Sequence, residues 1–159
     1  MTPTQFRKPR RRSTGKTMRR PLASPETPGS REPDDIEGLK VTALGGLEEV
    51  GRNMTIFEYK GDIVIVDVGL QFPEEDMPGI DYIIPNVEYL KGKERNIQGI
   101  IITHGHLDHI GAISHLAPKL GYPPIYATAL SRGIILKRHE DFPNGGELNI
   151  SVIKKTYKL

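Results

Sequence analysis

Residues 97–103 form an apolar, largely β-branched run that opens directly onto His104-Gly105-His106-Leu107-Asp108-His109, after which Ile110, Ile113, Leu116 and Leu120 recur at helical spacing up to Gly121. A continuous apolar run followed by a period near 3.6 predicts a buried strand, a short loop and a helix over 111–120. Loops at strand ends are where rigid scaffolds present polar groups to ligands. Three imidazoles and a carboxylate therefore stand at the open end of a strand within an α/β layer.

The rest of the chain agrees with that architecture. Residues 39–44 alternate as a strand, Gly45-Gly46 is a turn, and a polar loop runs through Gly51. Residues 54–59 read as a second strand, Lys60-Gly61-Asp62 as a turn, and 63–66 as a β-branched run that completes a hairpin and is expected to be buried on both faces. That strand ends at Asp67. Residues 68–85, rich in Pro, Gly and acids, read as a long irregular loop of the kind that is often functional. A short helix opens over 86–90 and Gly92 ends it. Residues 125–127 give a short strand, 130–139 an amphipathic helix and 148–153 a last strand. Strands in succession, then strand and helix in alternation, indicate a layered α/β fold, and 159 residues suit one domain.

Charge divides the chain. Residues 1–20 hold eight of the 22 Lys and Arg and no acid, leaving 14 basic residues against 20 acidic ones afterwards. Residues 1–37 are rich in Pro, Arg, Ser and Thr and too poor in apolar side chains to offset their ordering entropy, so a disordered basic tail is expected there. Its charge suits a polyanion such as RNA. Gly15-Lys16-Thr17 imitates the end of a phosphate-binding loop, but Arg10 stands where the first Gly belongs and no strand precedes it. No apolar run approaches the roughly 18 residues of a membrane span, and no secretory signal opens the chain, so a cytoplasmic protein is expected.

With no Cys in the sequence, thiolate zinc sites are excluded and any metal must be held by nitrogen and oxygen. His104, His106, Asp108 and His109 supply four such donors within six residues. Gly105 is expected to let the backbone fold so that His104 and His106 point the same way, leaving Asp108 and His109 to face a second ion. A lone His at such a junction would be read as a cap or a core residue; four donors at this spacing are read as metal ligands. The helix-borne His-Glu-x-x-His pattern of metallopeptidases is absent.

Thr103-His104-x-His106-x-Asp108-His109 resembles the signature of the metallo-β-lactamase superfamily. Gly45-Gly46-Leu47-Glu48-Glu49-Val50-Gly51-Arg52-Asn53-Met54, Asp67-Val68-Gly69, Phe72-Pro73 and Pro78-Gly79-Ile80-Asp81-Tyr82-Ile83-Ile84-Pro85 are similar to the amino-terminal part of the ribonuclease J family, in the β-CASP group. The likeness covers residues 39–115 and fades afterwards. It implies a metallo-β-lactamase αββα sandwich, of which residues 38–159 would supply the amino-terminal half. It implies two zinc ions, the first on His104 and His106 and the second on Asp108 and His109, with a hydroxide between them attacking an RNA phosphodiester. Asp67 would be the family's strand-end carboxylate, an acceptor fixing the tautomer of a zinc-bound imidazole, and Asp108 would also handle the proton. RNA as partner, 5′ to 3′ exonuclease and endonuclease activity, a role in RNA maturation and homo-oligomerisation follow from the same likeness.

Two ions need more than four donors. In the family the further His and Asp ligands, the β-CASP domain that clamps RNA and a C-terminal dimerising domain come from later segments, so a fragment inactive on its own is expected, with a sheet edge left uncovered near residues 154–159. His115 and His139 are read as surface or capping residues, and Arg52 and Asn53 receive no role. No RNA-binding residue is assigned. The alternatives are another hydrolase of the same fold, acting on thioesters, lactams or tRNA precursors, and a non-catalytic RNA-binding module.

Overall fold

Lys60 and Gly61 both take positive φ, 49° and 89°, the conformation that a two-residue hairpin turn requires at its central positions. The turn folds β2 (Met54–Tyr59) onto β3 (Asp62–Val66) with Tyr59 opposite Asp62. The computed structural model describes residues 38–143 and 145–154. Within them β1 (Lys40–Gly45) pairs antiparallel with β2, and β4 (Ile97–Ile101), β5 (Ile125–Ala127) and β6 (Ile150–Val152) continue from β3 in parallel. The sheet order is β1-β2-β3-β4-β5-β6. Short 3-10 turns at Glu88–Leu90 and Glu94–Asn96 precede β4, and α1 (Leu107–Ile110), α2 (Ile113–Leu116) and α3 (Ala129–His139) follow it.

Register explains the core. Ile56, Ile65, Ile100 and Ile125 are paired across four neighbouring strands and so project from one face. They are buried with Ile113, Leu116, Leu120 and Ile135 from the helical segments, each worth about 1.5–3 kcal/mol when fully removed from water. The Oγ1 of Thr128 caps α3 by accepting the Ser131 N–H at 3.2 Å.

The layered α/β class is as expected from the sequence, while several local readings are corrected. β3 is not buried on both faces: Ile63 and Ile65 are buried but Val64 and Val66 only half-buried, and in β4 Ile101 is 40% exposed. Among the described residues the helices cover one face of the sheet, so the alternate side chains stay open. The helix expected over 111–120 instead starts at Leu107 and is interrupted after Ile110. The Ala112 N–H donates to the Val68 carbonyl rather than back along the helix, while the Val68 N–H donates to the His109 carbonyl. The 67–70 segment thus inserts into the helical ladder and breaks it. α3 is only weakly amphipathic, since Ser131 and Ile135 are its buried residues and Leu130 is exposed. The tail over 1–37 and the sheet edge near 155–159 lie outside the described residues. No helix among the described residues is long and apolar enough to cross a membrane.

Candidate metal centre

The loop leaving β4 is held by two other loops. The backbone of Asn53 donates to the Asp108 carbonyl at 3.1 Å, the Gly69 N–H donates to the Asn53 carbonyl at 2.9 Å, and the Leu70 N–H donates to the Leu107 carbonyl at 3.0 Å. A Cβ on Gly69 would stand 1.6 Å from the Asp108 oxygen, so only glycine admits this approach. Gly105 serves differently from the sequence reading. It has no positive φ, and a Cβ there would lie 3.0 Å from Ile134 Cδ1 and 3.4 Å from Ser131 Cα. Its small size lets the loop pack on α3; the backbone at this position needs no unusual conformation.

Asp67 organises the imidazoles. It is 5% exposed, with φ 61°, a left-handed conformation in which Asp is among the better-tolerated residues. Its Oδ1 accepts the Thr103 N–H at 2.9 Å, and its Oδ2 accepts the Thr103 hydroxyl at 2.8 Å and stands 2.8 Å from His109 Nδ1. A carboxylate only accepts, so His109 Nδ1 carries the proton and Nε2 the lone pair. The Thr103 hydroxyl spends its proton on Asp67, so at 3.1 Å it accepts from His104 Nδ1, leaving the His104 lone pair on Nε2. One buried carboxylate therefore sets two tautomers, one directly and one through Thr103.

Those lone pairs face partners. His104 Nε2 accepts from His106 Nδ1 at 3.1 Å, and His109 Nε2 lies 3.2 Å from Asp108 Oδ2. Two donors bound at about 2.0–2.1 Å to one tetrahedral ion stand about 3.3 Å apart, so the spacing within each pair is close to that of two donors to one ion, which on the first pair would take the place of the His106 proton. The structure brings together all five residues singled out in the sequence, with the four donors as two pairs and Asp67 behind them. No three His, Asp or Glu side chains among the described residues form one cage.

Sequence reasoning missed Asn53. Its Nδ2 donates to the Asp108 carbonyl at 3.0 Å and to Asp108 Oδ2 at 3.3 Å, 3.4 Å from His109 Nε2, so it steadies the carboxylate of the second pair. Nothing local in Gly51-Arg52-Asn53 signals this. Arg52 pairs with Glu49, whose carboxyl is held below its ordinary range by that hydrogen bond first and by the Gly46 N–H next. His139 is neither a surface nor a capping residue. Its Nε2 donates to the Gly146 carbonyl and its Nδ1 meets the Ser114 hydroxyl, both at 2.9 Å, tying α3 to α2 and to the loop that follows it. His115 is half-buried against Tyr82 and Phe142, and burial first, then the Arg138 and Lys119 cations, lower its pKa.

The profile described as Metallo-beta-lactamase superfamily matches residues 47–145. Ribonuclease J of Synechocystis sp. is 38% identical over 105 residues, which cover 66% of this chain and 16% of that protein. Ribonuclease J of Mycoplasma pneumoniae is 43% identical over 116 residues, 69% of this chain and 20% of that protein. The chain thus spans a fifth or less of the length of these curated relatives. Among solved structures, the short form of human tRNase Z aligns with 70% of this chain and 43% of its own, at 22% identity and a TM-score of 0.45. The matched profile takes in the loop that carries both donor pairs and covers more than half of the residues, and on that ground the chain belongs to the metallo-β-lactamase superfamily.

Proposed function

We propose that this chain carries the ion-holding loop of a metal-dependent nuclease that hydrolyses RNA phosphodiesters. The observation that supports it most is the division of the four donors into two pairs, with one imidazole of each pair, His109 and His104, oriented by Asp67 directly or through Thr103. The similarity to ribonuclease J relatives supplies the substrate class. In this reading His104 and His106 hold one zinc ion and Asp108 and His109 the other, while Asn53 and Asp67 keep them oriented. Bound zinc would lower the pKa of water and offset charge developing on the phosphoryl oxygens. Asp108 also accepts the proton that the attacking water gives up. Exonuclease action from the 5′ end together with endonuclease action, a role in RNA maturation, a cytoplasmic location and homo-oligomerisation belong to the same proposal.

Four donors are fewer than two tetrahedral ions require, so the 159 residues alone are proposed to be inactive. The test is a 5′-monophosphorylated RNA with zinc or manganese, given to this chain and to the chain joined to the carboxy-terminal remainder of the Mycoplasma pneumoniae relative, each beside Asp108→Ala. The chain alone should match its control, and a cooperatively folded chimera should cleave in a manner abolished by Asp108→Ala. A folded chimera that does not cleave, or cleavage indifferent to Asp108, overturns the reading.

A further inference from the structure

Beside the donor loop lies a groove of about 620 Å³, walled by the loop itself through His106, Leu107 and Asp108 and by Leu70, Phe72, Ile134 and Arg138 among others. Its size is that of a small-ligand site, with an apolar floor and few polar groups. Two of its residues offer groups that a ligand could use. Phe72 is 62% exposed, and none of the aromatic pairs found among the described residues includes it. Arg138 is half-buried, and its guanidinium joins no ion pair among the described residues, whereas the adjacent Lys137 is paired with Glu140.

From this juxtaposition we infer that the groove is a nucleotide subsite: Phe72 stacks on one base of the substrate strand and Arg138 binds a phosphate next to the one at the donor loop. The inference rests on the reading of the site as a nuclease and adds residues to it. An aromatic face accepts any base, so stacking is tolerant of sequence, and a guanidinium matches a phosphate with two parallel hydrogen bonds. Leu70, Leu107 and Ile134 supply an apolar floor for the sugar and the base edge. Asp108 is the one acid lining the groove and is turned toward Asn53 and His109, so no carboxylate of the lining competes with a phosphate for Arg138. The rival occupant, an apolar acyl group, would use the same floor but would have no need of a cation or of an aromatic face.

The test needs neither metal nor turnover, so its result is independent of whether the chain or a longer protein cleaves RNA. Adenosine 5′-monophosphate, adenosine, ribose 5-phosphate and decanoate are titrated into the metal-free chain and followed by amide shifts in nitrogen-15 NMR spectra. Adenosine 5′-monophosphate should shift the amides of Phe72, Leu107 and Arg138 and bind about tenfold tighter than ribose 5-phosphate or adenosine. Phe72→Leu, which keeps apolar bulk, should erase the advantage over ribose 5-phosphate. Arg138→Gln should erase the advantage over adenosine. Both positions are at least partly exposed, and unchanged melting temperatures would show that the variants fold. Nucleotide affinity equal to the parent's in both variants, shifts confined to other surfaces, or tighter binding of decanoate that ignores Arg138→Gln would overturn the assignment.

Discussion

Asp67 shows how much of the site one residue can set. Its left-handed backbone and near-complete burial are tolerated because three hydrogen bonds converge on its carboxylate. One hydrogen bond to a charged group contributes about 1.5–3 kcal/mol, so Asp67→Ala, which removes three, should lower unfolding stability by at least about 3 kcal/mol in a urea titration. Asp67→Asn separates structure from tuning. Asn tolerates the left-handed region and its oxygen can still accept the Thr103 N–H, but its amide nitrogen donates where His109 needs an acceptor. It should melt near the parent yet bind zinc about 10–100-fold more weakly by calorimetry; parental zinc affinity in a folded Asp67→Asn would remove Asp67 from the account. The donors and Asp67 were legible in the sequence because four of them share six residues and the fifth ends a recognisable strand. Asn53 was not, because its contact with Asp108 spans 55 positions.

At the level of elements, a glycine fixes the loops at the site and a polar tie holds the far end of the sheet. The 67–70 segment threads between Asn53 and the interrupted helix, and a methyl group on Gly69 would overlap the Asp108 carbonyl. Gly69→Ala should therefore destabilise by about 3 kcal/mol, and a loss below about 1 kcal/mol in urea would mean that this packing is looser than described. Tyr89, in the first 3-10 turn, donates to Glu58 at 2.6 Å and accepts from Lys40 at 2.7 Å. The Tyr89 hydrogen bond, against the opposing effect of burial and together with Lys93, holds the Glu58 carboxyl below its ordinary value near 4.5. A carboxyl depressed in the folded state contributes stability above its unfolded value and loses it as pH falls through the folded one. Tyr89→Phe should thus lower stability by about 1 kcal/mol at pH 7, with the gap from the parent closing in acid well below pH 4.5; a gap unchanged between pH 7 and the acid limit would contradict this. The Lys60-Gly61 hairpin was legible because two positive φ values have a local signature. The break after Ile110 was not, since a distant segment captures the Ala112 N–H.

For the molecule as a whole, the sheet has one packed face and one open face. Val41, Phe57, Val64, Val66, Ile101 and Tyr126 fall on the open face and are exposed or half-buried among the described residues. The β-branched run of β3 reads as doubly buried, and that of β4 as buried, because composition reports that a strand can be covered, not whether it is. Apolar surface of this extent promotes association, so the chain should bind an apolar dye and sediment above its monomer mass, and Ile101→Thr with Tyr126→Thr should reduce both; a parent that is monomeric and dye-free would contradict the open face. If the four donors act as two separate pairs, zinc titration calorimetry of the parent, His104→Ala/His106→Ala and Asp108→Ala/His109→Ala will separate them. Two weak sites are expected in the parent and one in each double variant; a parent that binds no zinc, or double variants with the parental stoichiometry, would rule out the two pairs.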